Sequence, residues 1–172
     1  ALGTVTDTKT IIDLAHAYNI PVLLDGCQGA VHLPTDVQAL DVDFYVFSGH
    51  KVYGPGGIGV LYAKSELLEG MRPYRGGGEM IREVSLDEVT YADPPHRFEA
   101  GTPPIVEAIG LGAALDYMMA IGWQNICAHE QALAAHAMDV VGSINRVRIF
   151  GTPPDKGAIV SFMVDGIHPH DI

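Results

Sequence analysis

A chain of 172 residues has the size of one ordinary domain, or of part of a larger protein. Its 48% hydrophobic and 18% charged residues exclude a disordered chain and predict a sizeable buried core. With 21 acidic against 10 basic residues, a net charge of −11 makes nucleic-acid backbones and anionic membranes poor partners.

Every apolar run is short and broken by glycine, proline or charge, so none predicts a membrane span. The start "ALGTVTDTKT" lacks the basic region and apolar stretch of a signal peptide. Two cysteines, Cys27 and Cys127, do not make a disulfide framework, which points to a reducing cytoplasm. The chain has no initiator Met, and its tail "HPHDI" stops in what reads as the first turn of a helix. The expectation is an internal piece of a longer protein.

In chain order, Asp7 or Thr8 caps a helix whose stripe is Ile11, Ile12, Ala15 and Tyr18, ended by Asn19 and Pro21. "PVLLDG" is continuously apolar, as a strand buried on both faces of a parallel sheet is. A short helical turn fits Thr35 to Leu40. "DFYVFSG" and "GIGVLYA" read as two further strands. The stretch from Leu67 to Pro104, with its glycine triplet and prolines, predicts a long functional connection. Thr102 is then the N-cap of a strong helix, with proline at its first position. Val106, Ile109, Ala113, Leu115 and Met119 are its expected buried side. A second helix, roughly Trp123 to Ile144, presents Ile126, Leu133, Ala137, Val140 and Val141. Two β-like runs follow, "RVRIFG" and "AIVSFMV". This order predicts an α/β domain followed by part of a smaller one.

The chemistry concentrates at two strand ends. Asp25 ends one buried strand, and Lys51 lies just past the next. Ligands of open α/β sheets bind beyond the carboxyl ends of the strands, so the two side chains share one crevice. Taken singly, each is ordinary: an internal salt bridge or a surface lysine. Gln28, three residues after Asp25, and Ser48 and His50, beside Lys51, add an amide, a hydroxyl and an imidazole. Gly54, Gly56, Gly57 and Gly59 let the backbone pass close to a ligand or another chain. This set suits pyridoxal 5'-phosphate (PLP), whose aldehyde needs a lysine amine, whose ring nitrogen needs a carboxylate, and whose phosphate needs donors. Arginine has no primary amine to offer in place of Lys51. A carboxylate at the ring nitrogen keeps it protonated, because an opposite charge favours the charged form.

The stretch "DGCQGAVHLPTDVQALDVDFYVFSGHKVYGPGGIGVLYA", with "RGGGEMI" and "RFEAGTP" downstream, resembles the cysteine desulfurases of the SufS and selenocysteine-lyase-like branch. These are PLP enzymes of the class V aminotransferase group. The resemblance implies the type I aminotransferase (PLP-transferase) fold: a mainly parallel sheet in a large domain, then a smaller α+β domain. Residues 1–104 are then part of the PLP-binding large domain, 105–122 the connecting helix, and 123–172 part of the small domain. It further implies Lys51 as the Schiff-base lysine, Asp25 as the pyridinium partner and Gln28 as the phenolate-oxygen partner. Ser48 and His50 resemble phosphate ligands, and Thr102 the residue that reaches the cofactor phosphate of the neighbouring subunit in a homodimer.

The implied reaction converts L-cysteine to L-alanine, with sulfur passed to an enzyme cysteine and on to iron–sulfur cluster assembly, with a sulfur-acceptor protein as a possible partner. The substrate arginine, the persulfide cysteine and an upstream ring-stacking histidine have no counterpart in the chain, so it is expected to be inactive alone. Cys27, where the family commonly has alanine, and Cys127 read as packing thiols. The tail residues His168, His170 and Asp171 read as a solvated helix start, with no metal site expected. A selenocysteine lyase, another class V enzyme, and a non-catalytic remnant keeping the fold and dimer surface remain alternatives. A phosphate-loop reading of "GPGGIG" fails, because those glycines precede a strand instead of opening a helix.

Overall fold

The structure, a computed structural model, describes residues 2–153 and 155–172. Helix α1 (Thr8–His16) is capped by Asp7, whose carboxylate accepts from the Thr10 amide at 3.1 Å and the Thr10 hydroxyl at 2.7 Å. Strand β1 (Leu23–Asp25) pairs in parallel with β2 (Phe44–Ser48), Asp25 opposite Val46. The crossover between them holds two single-turn helices, α2 (Gly29–His32) and α3 (Val37–Leu40). Strand β3 (Gly59–Ala63) pairs with the other edge of β2, antiparallel. Residues 49–58 are too short a connection for a parallel return, which takes a dozen residues or more. The α/β architecture is as expected, and this sheet is mixed: one parallel and one antiparallel pairing.

Helix α4 (Ser65–Gly70) leads into a hairpin of β4 (Ile81–Val84) and β5 (Val89–Tyr91), inside the stretch expected to be a long functional connection without strands of its own. All four residues of β4 are exposed, so no alternating pattern marks it in the sequence. Arg97 ties the end of that stretch down, donating to Glu69 O at 2.8 Å and Ala92 O at 3.1 Å. Helices α5 (Ile105–Ile121) and α6 (Trp123–Ser143) follow, bent by 77° at Gly122, which has φ +85°. The last strands, β6 (Val147–Phe150) and β7 (Ser161–Val164), pair antiparallel. Among the described residues no single helix is long and apolar enough to cross a membrane.

Two clusters make the core. Val31, Val52, Leu111, Met118 and Ile126 join α2, the turn after β2, α5 and α6. Ile12, Val42 and Tyr45 join α1 to the sheet. Burial of each large aliphatic contributes about 1.5–3 kcal/mol. The buried side of α5 is Leu111, Ala114 and Met118, whereas Val106 and Ile109 are 78% and 70% exposed. This corrects the sequence expectation: the helix is apolar around its circumference, so its periodicity names no face. Likewise β1 is not buried on both faces, since Leu23 is 57% exposed.

A polar knot fixes the base of β2. Asp43, buried, lies 2.8 Å from His16 Nε2, accepts the Val22 amide at 2.7 Å and pairs with Lys64 Nζ at 3.1 Å. Lys64 also pairs with Asp41 at 2.6 Å. Burial alone would push the Asp43 carboxyl up, but the bonds from His16, Val22 and Lys64 prevail and lower it to about 2. Helix α1, β1 and β3 are thereby held at the end of β2 opposite Ser48.

Candidate active site

The two strand tips sit side by side because β1 and β2 run in parallel and in register. The ladder extends one residue further, Gly26 N–H donating to Val46 O at 2.8 Å. There the chain turns against Tyr45: a Cβ on residue 26 would lie 1.9 Å from that ring. The Tyr45 hydroxyl donates to Gly26 O at 3.4 Å, and Ala30 N–H donates to the same carbonyl at 2.7 Å. Only glycine lets the turn lie flat on the ring. It places Cys27 and Gln28 immediately beyond Asp25, with Gln28 in the cap position of α2 and its side chain not used for capping.

At the tip of β2, Gly49–Val52 form one 3-10 turn that presents His50 and Lys51. Gly49 N–H donates to Ile58 O at 2.9 Å, and a Cβ on Gly49 would sit 2.7 Å from the Ile58 side chain. Val52, buried against α5, anchors the turn. Tyr53, at φ +62°, ends it.

Asp25 is held below the usual carboxylate range, chiefly by the Cys27 N–H at 3.0 Å and next by the Cys27 thiol. Desolvation opposes these bonds, and the charge of Lys51 adds a smaller lowering. The carboxylate therefore stays ionised at neutral pH within electrostatic reach of Lys51. Three of the four lysines have partners: Lys9 with Asp13, Lys64 with Asp41 and Asp43, and Lys156 with the carbonyls of Leu2 and Gly151. Among the described residues Lys51, half-buried, has no hydrogen bond or ion pair to its amine. A half-buried amine without a partner, beside a fixed anion, suits an electrophilic carbonyl compound bearing a cationic ring.

Ser48 and His50 flank this amine in the chain, as the sequence suggested. Thr102 is not a cap: α5 begins at Ile105 with Pro104 in the cap position, because consecutive prolines delay the helix. Its side chain is exposed, and among the described residues it makes no hydrogen bond to the other five site residues. The glycines of "GPGGIG" serve the fold in three of four places. Gly54 packs on Gly49 O, Gly59 on Phe47 O, and Gly57 has φ +86°, while Gly56 faces open space. A cavity of about 340 Å³ is lined by Thr6, Asp25, Gln28, His32, Tyr45 and Ile159. Ser48, His50 and Lys51 do not line it, so it covers only one flank of the site.

Sequence reasoning also misjudged Cys27. Its thiol does not turn into packing: Sγ lies 3.6 Å from Ser48 Oγ, between the two strand tips. Cys127 is a packing thiol on α6, donating to His32 O at 3.4 Å.

The family model described as aminotransferase class-V matches residues 1–172. A cysteine desulfurase of Synechococcus elongatus is 51% identical over 172 residues, covering 100% of this chain and 28% of that protein. The crystal structure of the Escherichia coli cysteine desulfurase CsdA superposes with a TM-score of 0.94 at 44% identity, covering 99% of this chain and 42% of that one. A mutant of C-DES, solved with glycine covalently linked to its PLP cofactor, is 29% identical with a TM-score of 0.79, covering 95% and 44%. The chain spans between 28% and 42% of the length of the curated relatives it matches.

Proposed function

Because the chain belongs to the aminotransferase class-V family, we propose that it is the middle part of a PLP-dependent cysteine desulfurase, similar to SufS. The residues fit the cofactor. The set combines a carboxylate held ionised, an amide not spent on capping, a hydroxyl and imidazole, and a partnerless lysine amine. When bound, PLP supplies an electron-accepting ring that weakens bonds at the substrate's α-carbon.

The chain's own residues do the rest. Asp25 would hold the proton on the ring nitrogen, Gln28 would hydrogen-bond the ring oxygen, and Ser48 and His50 would bind the phosphate. Lys51 Nζ would hold the cofactor aldehyde and, once free, would carry a proton to and from the substrate's α-carbon. Thr102, exposed and bonded to none of these, is free to serve the phosphate of a second copy in a homodimer. The substrate is L-cysteine and the product L-alanine. The sulfur goes to a cysteine outside these residues, for delivery to an acceptor protein in cytoplasmic iron–sulfur cluster assembly. In this reading Cys127, which packs on α6 with its thiol donating to His32 O, is not that acceptor.

The observation that carries this reading is Lys51, the lysine left unpaired at the strand tip beside Asp25. The test is alanine release from L-cysteine by the complete polypeptide, dependent on PLP and lost in Lys51→Ala. Release from L-selenocysteine but not L-cysteine would move the assignment to a lyase. The 172 residues alone should release none, and alanine from them would overturn that part of the reading.

A further inference from the structure

Cys27 stands between the two groups assigned to opposite ends of the cofactor. Its N–H donates to Asp25 Oδ1 at 3.0 Å, and its sulfur lies 3.6 Å from Ser48 Oγ, within sulfur hydrogen-bonding reach. The residue is half-buried. Its direction is set from behind: Gly26, flush against Tyr45, fixes the turn, and Ala30 N–H locks it at 2.7 Å to Gly26 O. An alanine here would keep the N–H contact and lose the contact to Ser48. Like the Tyr45 hydroxyl on Gly26 O, that contact links the β1 turn to β2 by a side chain, here at the end of the strand.

We propose that Cys27 is a positioning residue of this site: its thiol, resting on the Ser48 hydroxyl, holds the turn carrying Asp25 and Gln28 in register with the tip of β2. The inference rests on the PLP reading for its consequence, and on Cys27, Asp25 and Ser48 alone for its geometry. The link fixes the distance between a ring-nitrogen partner and a phosphate partner, which must match one rigid ligand. No covalent change at sulfur is involved. The Cys27 N–H is the chief hold on the Asp25 charge, and the thiol adds a smaller lowering.

The test compares the wild type with C27A, C27S and, as a control thiol, C127A. Without cofactor, the Asp25 carboxyl is followed by carbon NMR over an acid titration. C27A keeps the N–H bond that chiefly lowers Asp25, so it should raise the midpoint only part of the way toward the ordinary carboxylate value, while C27S, which keeps a donor, and C127A should leave it where the wild type has it. With PLP, C27A should weaken cofactor binding about fivefold, the scale of one lost hydrogen bond. It should also shift the pH midpoint of the bound cofactor's visible band, and C27S should restore both. An Asp25 midpoint unchanged in C27A, or an equal shift in C127A, overturns the inference whatever the cofactor does. A wild type that never gains a PLP band while Asp25 responds as expected overturns the PLP reading and leaves the positioning role standing.

Discussion

The ring of Tyr45 lies 1.9 Å from the point where a side chain on residue 26 would begin. Gly26 is therefore fixed by close approach, and the turn it permits carries Cys27 and Gln28 past Asp25. Gly26→Ala must push either the ring or the turn, at a cost of about 1–3 kcal/mol in unfolding free energy. Urea denaturation reads that loss. Combining it with Tyr45→Ala should give less than the sum of the two single losses, since both act on one contact. Additive losses would mean that the crowding is relieved elsewhere.

Asp43 makes stability depend on acid. Its carboxyl falls from 3.8 to about 2 in the folded chain. A depressed carboxyl contributes stability that is complete above its unfolded value and is lost as pH falls through the folded one. The shift corresponds to about 2 kcal/mol at neutral pH. Asp43→Asn should unfold at lower urea than the wild type at pH 7. The gap should narrow as the pH drops from about 4 toward 2. A gap that stays constant over that range would show that the His16–Asp43–Lys64 knot is not what titrates.

Lys51 and Lys64 separate chemistry from structure. Lys64 pairs with both Asp41 and Asp43, so Lys64→Ala leaves the buried Asp43 short of a partner and should cost about 1–3 kcal/mol. Lys51 has no such partner, and Lys51→Ala should stay within about 0.5 kcal/mol of the wild type while removing cofactor attachment. A Lys51→Ala chain as destabilised as Lys64→Ala would mean that the amine is structural.

Arg97 holds the segment before Thr102 through carbonyls of two different stretches, Glu69 and Ala92. Arg97→Lys keeps the charge and loses the fork that reaches both. Limited proteolysis should then cut between residues 92 and 101 faster than in the wild type. An unchanged cleavage rate would assign the ordering of that segment to its backbone bonds, such as Gly101 N–H to Gly78 O at 2.9 Å.

The sequence made the strand tips readable because short apolar runs ending in Asp25 and Ser48 leave little choice of element or direction. What it left open was tertiary. Helix α5 is apolar on all sides, so its buried face was decided by what packs against it, namely Val52 and Ile126. The antiparallel return of β3 was legible only in the shortness of residues 49–58. Two prolines moved the start of α5 past Thr102, overriding a good capping residue. The direction of the Cys27 thiol depends on a tyrosine eighteen positions away, which no local pattern reveals.

The most direct measurement is reduction of the PLP-treated chain with borohydride, followed by peptide mapping. A cofactor label is expected on Lys51, absent in Lys51→Ala, with Lys9, Lys64 and Lys156 unlabelled. A label spread over those three, or one that persists in the variant, would contradict the role of Lys51.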